Sequence, residues 1–223
     1  MSMISTHADD FPVSFFHSWA VEIADSVAAR GKMPVGVGGS NYLIHGLLAS
    51  RLDAMPANPF TAEGYRPEMT YPCCLLWVDA DEAMLNDYHD RRVDEMVKSG
   101  MIEEAREYLA TSPESHCVGI GSSIGVPELA GYFAGRTSLQ TVTDHGKAIT
   151  KALAKVQTAK IHCMAGEWGW PIRWLDATIA IRACLAGCHV AEAMAWEQDV
   201  TRPGLAAIGN EFPGLLGPSS SGY

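Results

Sequence analysis

The sequence predicts an α/β protein with a parallel sheet flanked by helices, and three observations support this prediction. Residues 34–48 read PVGVGGSNYLIHGLL, in which a short apolar run leads through two glycines into a helical pattern. Residues 73–78 read CCLLWV, an unbroken apolar run that is typical of a strand buried on both faces. Helical and strand patterns then alternate along the chain, as they do around parallel sheets.

The individual elements follow from apolar spacing and from glycine stops. Helices are predicted over residues 14–30, 40–50, 82–98, 101–109, 129–133, 139–163 and 176–198, so the C-terminal half is rich in helix. Strands are predicted over residues 35–37, 73–78 and 172–175. Gly31 and Gly100 follow two of the helices, at the position where a left-handed glycine commonly ends a helix.

The composition is that of an acidic globular chain. Hydrophobic residues make up 48% of the 223 residues, charged residues make up 19%, and the formal net charge is −10. This balance argues against broad nucleic-acid binding driven by surface charge, although a local basic site is compatible with it. The six cysteines form no CxxC pair, which favours thiols of a reducing compartment over a metal site. No apolar run approaches the roughly 20 residues of a membrane span.

The turn before the second helix is the first candidate site. Gly38 and Gly39 allow positive φ and allow a ligand to approach the backbone closely. Ser40 or Asn41 is predicted to cap the helix, whose free N–H groups favour an anion. The alternative is an ordinary strand-to-helix turn, because short glycine motifs have a high false-positive rate.

A carboxylate follows the apolar run at 73–78. Asp79 is predicted to lie at the carboxyl end of a strand, where α/β proteins bind ligands. The equally weighted alternative is that Asp79 or Asp81 caps the helix that follows.

Cations on two predicted helices are further candidates for phosphate binding. Arg91 and Arg92 are adjacent, so their side chains diverge by about 100° around the helix. One can therefore lie over the surface while the other points into a cleft to hold a phosphate bidentately. Lys147, Lys151 and Lys155 form a basic stripe at i,i+4 spacing. A solvated helix face is the alternative in both cases.

Six segments carry a resemblance to a known family. They are PVGVGGSNYLIHGLL (34–48), CCLLWVDA (73–80), RRVDEMVKSGMIEE (91–104), IGVPELAGYF (124–133), LAKVQTAKI (153–161) and GWPIRWLDAT (169–178). In this order they resemble the plant adenylate isopentenyltransferases, which make cytokinins and are related to the tRNA dimethylallyltransferases. Each segment is modest alone, whereas six in register are specific.

The resemblance implies a fold like that of the P-loop NTPases and a prenyl-transfer reaction. The family moves a dimethylallyl group from dimethylallyl diphosphate to the exocyclic N6 amine of ATP, ADP or AMP, with Mg²⁺. By resemblance, a glycine turn lies beside the ligands, an arginine holds phosphate oxygens, and two residues lie on a long helix that closes over the site. The matching residues here are Gly38, Gly39, Ser40, Asn41, Arg92, Lys147 and Gln157.

The chain also departs from the family pattern. The family opens with a strand, a glycine-rich phosphate loop and a second strand that ends in an aspartate base, but these 223 residues contain no GxxxxGK[ST] motif. Where the family usually shows Gly-Leu-Arg-Lys, residues 119–123 read GIGSS, and Ala152 replaces a usual basic residue. No catalytic residue and no metal ligand is therefore predicted among the residues present.

These departures predict an N-terminally truncated member. Residues 1–210 are expected to form a single partial isopentenyltransferase domain that lacks the first strands and the P-loop, and residues 211–223 a flexible tail. A transit peptide could have been lost with the N-terminus, so both the cytoplasm and the plastid stay open as locations.

Two functional classes follow from this. The first is an adenylate isopentenyltransferase whose activity is impaired in this chain alone. The second is a non-catalytic remnant that only associates with an intact homologue. The expected partners are an adenine nucleotide and dimethylallyl diphosphate, with no membrane; nucleic acid is not expected, and tRNA stays open as an acceptor.

Overall fold

The computed structural model of the chain describes residues 12–50, 55–111 and 125–214. Their helices are α1 (Val13–Ala29), α2 (Asn41–Leu48), α3 (Glu82–Met96), α4 (Ile102–Thr111), α5 (Val126–Phe133), α6 (Leu139–His162), α7 (Thr178–Leu185), α8 (His189–Trp196) and α9 (Arg202–Glu211). Their strands are β1 (Leu75–Asp79) and β2 (Ile172–Asp176), which pair in parallel. The predicted α/β class with a parallel sheet is confirmed.

The described residues form two compact units. The first contains residues up to 70 together with 92–163, and the second contains 71–91 together with the residues from 164 onward. The prediction of one partial domain over residues 1–210, followed by a tail, is not tested by this division and stays a prediction. None of the described helices combines the length and the apolar character that a membrane crossing requires.

The second unit is built on the sheet. β1 and β2 pair in register from Leu75 opposite Ile172 to Asp79 opposite Asp176. Leu175 is buried with Ala177 and Val200 in the core of this unit. The expectation that the run at 73–78 is buried on both faces is wrong, because Leu76 and Val78 are 37% and 44% exposed. The face of β1 that carries Leu76 and Val78 is therefore only partly covered by the described residues.

The helix after β1 is capped by Asp81. Its Oδ1 accepts hydrogen bonds from the backbone N–H groups of Ala83 at 3.0 Å and Met84 at 3.2 Å. These bonds satisfy two of the amides that the first turn of a helix leaves without a partner. The capping alternative is therefore confirmed for Asp81, whereas a ligand-binding role for Asp79 stays a prediction.

Two predicted elements are wrong. Residues 35–37 are not a strand: Val35 is 73% exposed and Val37 is 96% exposed. An apolar run becomes a strand only where a neighbouring strand provides hydrogen bonds, and the described residues place none beside it. The single helix predicted over 176–198 is divided into α7 and α8 by Gly187, whose φ of 73° interrupts the helix.

The first unit is mainly helical. Leu129 of α5 is 1% exposed and packs with Ala105 of α4 and Val142 of α6 in a small core. The predicted stops are confirmed: Gly31 follows α1 with φ 67°, and Gly100 lies between α3 and α4 with φ 108°. All seven candidate ligand-binding residues belong to this unit.

Candidate functional site

The glycine turn leads directly into α2. Asn41 is the first residue of the helix and Ser40 occupies the cap position, as predicted. Gly38 and Gly39 do not adopt the positive φ that glycine allows at such a turn. A Cβ atom built on either glycine would meet nothing within 4 Å. The turn is thus exposed and open, with space above its backbone among the described residues.

Two of the candidate residues bond to each other. The side-chain Nδ2 of Asn41 donates to Oε1 of Gln157 at 2.9 Å and to the Gln157 backbone oxygen at 3.2 Å. The backbone N–H of Asn41 also donates to the same Oε1, at 3.3 Å. Asn41 is 4% exposed, so these bonds satisfy a buried amide. They join the start of α2 to α6 across 116 residues of sequence.

Lys147 is engaged in an ion pair. Its Nζ lies 2.7 Å from Oδ1 of Asp94, and its side chain is 19% exposed. The contact joins α6 to α3 within the first unit. The solvated-face alternative is therefore wrong for Lys147, whose charge is balanced by a neighbouring carboxylate.

The adjacent arginines have different surroundings. Nη1 of Arg91 donates to the backbone oxygens of Cys184 at 2.8 Å and Leu185 at 3.3 Å, at the C-terminal end of α7. A cation there adds to the hydrogen bonds at the end of the helix, where the Cys184 oxygen also accepts from the Gly187 amide at 2.9 Å, and it complements the helix dipole. Arg92 is exposed and has no hydrogen bond or ion pair to any residue that the structure describes. The expected divergence is confirmed, and Arg92 is the guanidinium that is accessible to a ligand.

The contacts of the candidates divide them into two groups. The side chains of Asn41, Gln157 and Lys147 are held by protein partners. By contrast, Gly38, Gly39 and Arg92 are exposed. Ser40 is half-buried, and its side chain makes no cap bond. The structure joins Asn41 directly to Gln157 but shows no bond between either and Arg92 or Lys147. Residues 119–123, which depart from the family pattern, lie outside the described residues.

Sequence reasoning missed a buried cluster that anchors the other end of α2. His45 is 0% exposed, and its Nε2 lies 3.0 Å from the hydroxyl oxygen of Tyr65. The rings of Phe60 and Tyr65 meet the imidazole edge to face, with centroids at 5.9 and 5.7 Å. The available signal was spacing, because His45 is four residues after Asn41 and shares its helix face.

Because the His45 imidazole is buried, we expect the free energy of unfolding to fall in acid. Burial lowers the pKa of His45 from 6.5 to about 4. The unfolded chain therefore binds more protons than the folded chain between these values. The His45 contribution is fully present above pH 6.5 and is lost as the pH falls toward 4, by about 3 kcal/mol at most.

This prediction is checked by urea unfolding across that pH range. His45→Gln retains a hydrogen-bonding amide near Tyr65 but does not titrate, so the difference between the two proteins isolates the imidazole. The free energy of unfolding of the wild type should fall more steeply toward pH 4 than that of His45→Gln. Parallel curves would contradict the assignment.

Comparison with known proteins first defines the fold. The chain is similar to the crystal structure of a tRNA delta(2)-isopentenylpyrophosphate transferase from Staphylococcus epidermidis, with a TM-score of 0.62 and 15% identity, over 81% of this chain and 75% of that one. The fold is that of an isopentenyltransferase. The family model for IPP transferase also matches residues 54–161.

Sequence similarity to curated proteins defines the family more narrowly. The chain is 33% identical to adenylate isopentenyltransferase of Humulus lupulus, over 86% of this chain and 67% of that protein. It is 31% identical to adenylate isopentenyltransferase 1, chloroplastic, of Arabidopsis thaliana, over 93% of this chain and 63% of that protein. The chain belongs to the adenylate isopentenyltransferase family, and it spans about two thirds of the length of these relatives.

Proposed function

We propose that this chain binds dimethylallyl diphosphate and an adenine nucleotide as part of an adenylate isopentenyltransferase. The reaction joins the dimethylallyl group to the N6 amine of ATP, ADP or AMP. The observation that carries the proposal is the open turn at residues 38–40, because it lies in a segment that resembles the family's ligand-binding turn. Family membership supplies the reaction class.

The geometry of the turn supports binding of an anion. Neither positive φ nor close packing among the described residues requires glycine at positions 38 and 39. Glycine costs more backbone entropy on folding than alanine, so its presence without a conformational need favours a ligand that approaches the backbone. The first-turn amides of α2 other than that of Asn41, which donates to Gln157, lie at the same end of the helix and favour negative charge.

The charges of the first unit suit a leaving diphosphate. In the reaction, the N6 nitrogen forms a bond to the allylic carbon of dimethylallyl diphosphate while the bond from that carbon to the diphosphate oxygen breaks. The N6 amine loses a proton, and the diphosphate leaves with the electron pair of the broken bond. We assign Arg92 to the diphosphate oxygens, since a guanidinium binds them bidentately. Lys147 contributes a second cation, for which the diphosphate would compete with Asp94.

Magnesium would enter with the diphosphate rather than on a site made by these residues alone. Among the described residues, no group of three or more histidines, cysteines, aspartates or glutamates could hold a metal ion. This fits the usual behaviour of Mg²⁺, which is held by one or two carboxylates together with substrate phosphates. When bound, the ion would neutralise phosphate charge, and we assign no protein ligand to it.

The acceptor is proposed to be a free adenine nucleotide rather than tRNA. The relatives named above are adenylate enzymes, whereas the likeness to the tRNA enzyme carries the fold alone. The net charge of −10 also disfavours broad contact with a nucleic acid. The plastid is the proposed location, because the Arabidopsis relative is named as chloroplastic.

The proposal is tested by a pair of glycine substitutions. Gly36 and Gly39 are both exposed and both have open space at Cβ, but only Gly39 lies in the proposed ligand turn. Each alanine is expected to leave stability unchanged or to raise it by about 0.4–1 kcal/mol, because it restricts the unfolded chain. Gly39→Ala alone should weaken binding of dimethylallyl diphosphate, by about tenfold in isothermal titration, since a methyl group would occupy the space of a phosphate oxygen.

Titrations with ATP, ADP and AMP in parallel identify the nucleotide partner. The proposal fails if the wild type binds neither dimethylallyl diphosphate nor any of the three nucleotides. The assignment of the turn alone fails if Gly36→Ala and Gly39→Ala bind the diphosphate equally well.

A further inference from the structure

The start of α2 is capped in an unusual way. Serine at a cap position normally accepts a hydrogen bond from an amide of the first turn through its hydroxyl oxygen. Ser138, at the start of α6, does this by accepting from the backbone N–H of Thr141 at 3.1 Å. Ser40 occupies the same position on α2, but its side chain makes no cap hydrogen bond.

A residue of a distant helix accepts instead from a different amide, the first one of α2. The backbone N–H of Asn41 points at Oε1 of Gln157, which also accepts the Asn41 Nδ2 donor. A backbone N–H can only donate, so the Gln157 atom that faces it acts as the acceptor. Gln157 therefore accepts from the first amide of α2, whereas a local serine usually accepts from the second or third amide of a helix.

We propose that Gln157 is a positioning residue that caps the first amide of α2 from α6, and that the Ser40 hydroxyl, which makes no cap bond, faces the diphosphate. This refines the sequence-based expectation, in which Gln157 touches the ligand itself. The role of the Ser40 hydroxyl rests on the proposed function. The capping role of Gln157 rests on its three hydrogen bonds with Asn41. Because Asn41 follows the turn directly, the same bonds fix the position of the turn relative to α6.

Thermal unfolding of matched variants tests the cap without reference to any ligand. Ser138→Ala, which removes a local cap, should lower the unfolding midpoint by about 2–4 °C. Ser40→Ala should change it by less than about 1 °C, because no cap bond is lost. Gln157→Met keeps the side-chain volume but removes the acceptor, so it should lower the midpoint at least as much as Ser138→Ala. Gln157→Glu, which keeps an acceptor oxygen, should restore it.

Hydrogen exchange gives a readout that general destabilisation would not produce. The Asn41 amide should exchange slowly in the wild type and in Ser40→Ala. In Gln157→Met its protection should fall more than that of the Ile44 amide, which bonds to the Ser40 oxygen at 3.0 Å inside the helix. Equal loss of protection at both positions would overturn the cap, as would a Ser40→Ala midpoint as low as that of Ser138→Ala.

Titration with dimethylallyl diphosphate tests the role of the hydroxyl. Ser40→Ala should weaken binding by about fivefold to tenfold while its unfolding midpoint stays at the wild-type value. Unchanged affinity would overturn the proposed contact between the Ser40 hydroxyl and the diphosphate. If the wild type binds no diphosphate, the proposed function fails together with the role of Ser40, whereas the midpoints and the exchange rates still decide the cap.

Discussion

Replacing Arg92 with alanine is expected to weaken the binding of dimethylallyl diphosphate by at least about tenfold, and replacing Arg91 is expected to leave it unchanged. Arg92 is exposed and has no bonding partner among the described residues, so its guanidinium is free of competing contacts there. A hydrogen bond to a charged group contributes about 1.5–3 kcal/mol, and each 1.4 kcal/mol corresponds to a tenfold change in affinity. Isothermal titration of the two variants measures the difference.

Arg91→Ala serves as the matched control because its expected effect is on stability. Its loss would leave the carbonyls of Cys184 and Leu185 without a cation, at a cost of about 1–3 kcal/mol in the free energy of unfolding. The assignment of Arg92 to the ligand is contradicted if both variants bind the diphosphate as the wild type does. It is equally contradicted if Arg91→Ala alone loses affinity.

The 223-residue chain by itself is expected to show no multiple turnover in prenyl transfer. It contains no GxxxxGK[ST] loop, whose converging N–H groups and lysine would neutralise the leaving diphosphate. Loss of a single oxyanion donor already costs roughly 10²–10³ in rate. Arg92 and the paired Lys147 do not reproduce such a set of donors.

Mass spectrometry provides the assay for this second prediction. The chain is incubated with Mg²⁺, dimethylallyl diphosphate and ATP, ADP or AMP, and the N6-prenylated nucleotide is quantified. The Humulus lupulus relative under the same conditions is the positive control. Clear multiple turnover by the chain would show that these residues neutralise the leaving group without such a loop.

Local rules account for most of the helices and for the sheet. The long periodic pattern of α6 and the glycine stops at Gly31 and Gly100 are determined by residues close in sequence, so the sequence predicted them well. The same holds for Asp81, since a cap bonds within the first turn that follows it. By contrast, Val35 and Val37 have the apolar character of a strand but have no neighbouring strand in the described structure.

The contacts that organise the candidate site are long-range, and the sequence alone could not supply them. Nothing in the chain near Asn41 indicates that its partner is Gln157, 116 residues away. Adjacent arginines likewise look equivalent in the sequence, and only the structure shows that Arg91 bonds to the C-terminal end of α7. Sequence reasoning therefore identified the residue types of the site but not which residues are held by protein and which are open to a ligand.

The most direct test of the proposed diphosphate site follows the glycine amides of the isotope-labelled chain by NMR while dimethylallyl diphosphate is added. The amide signals of Gly38 and Gly39 are predicted to shift and to saturate, because their exposed backbone forms the proposed diphosphate site. Gly131 of α5 lies close to Thr137 and away from the turn in sequence, so its signal should not move. If the Gly38 and Gly39 signals stay unchanged at saturating diphosphate, or if the diphosphate shifts only signals elsewhere, the turn is not the binding site.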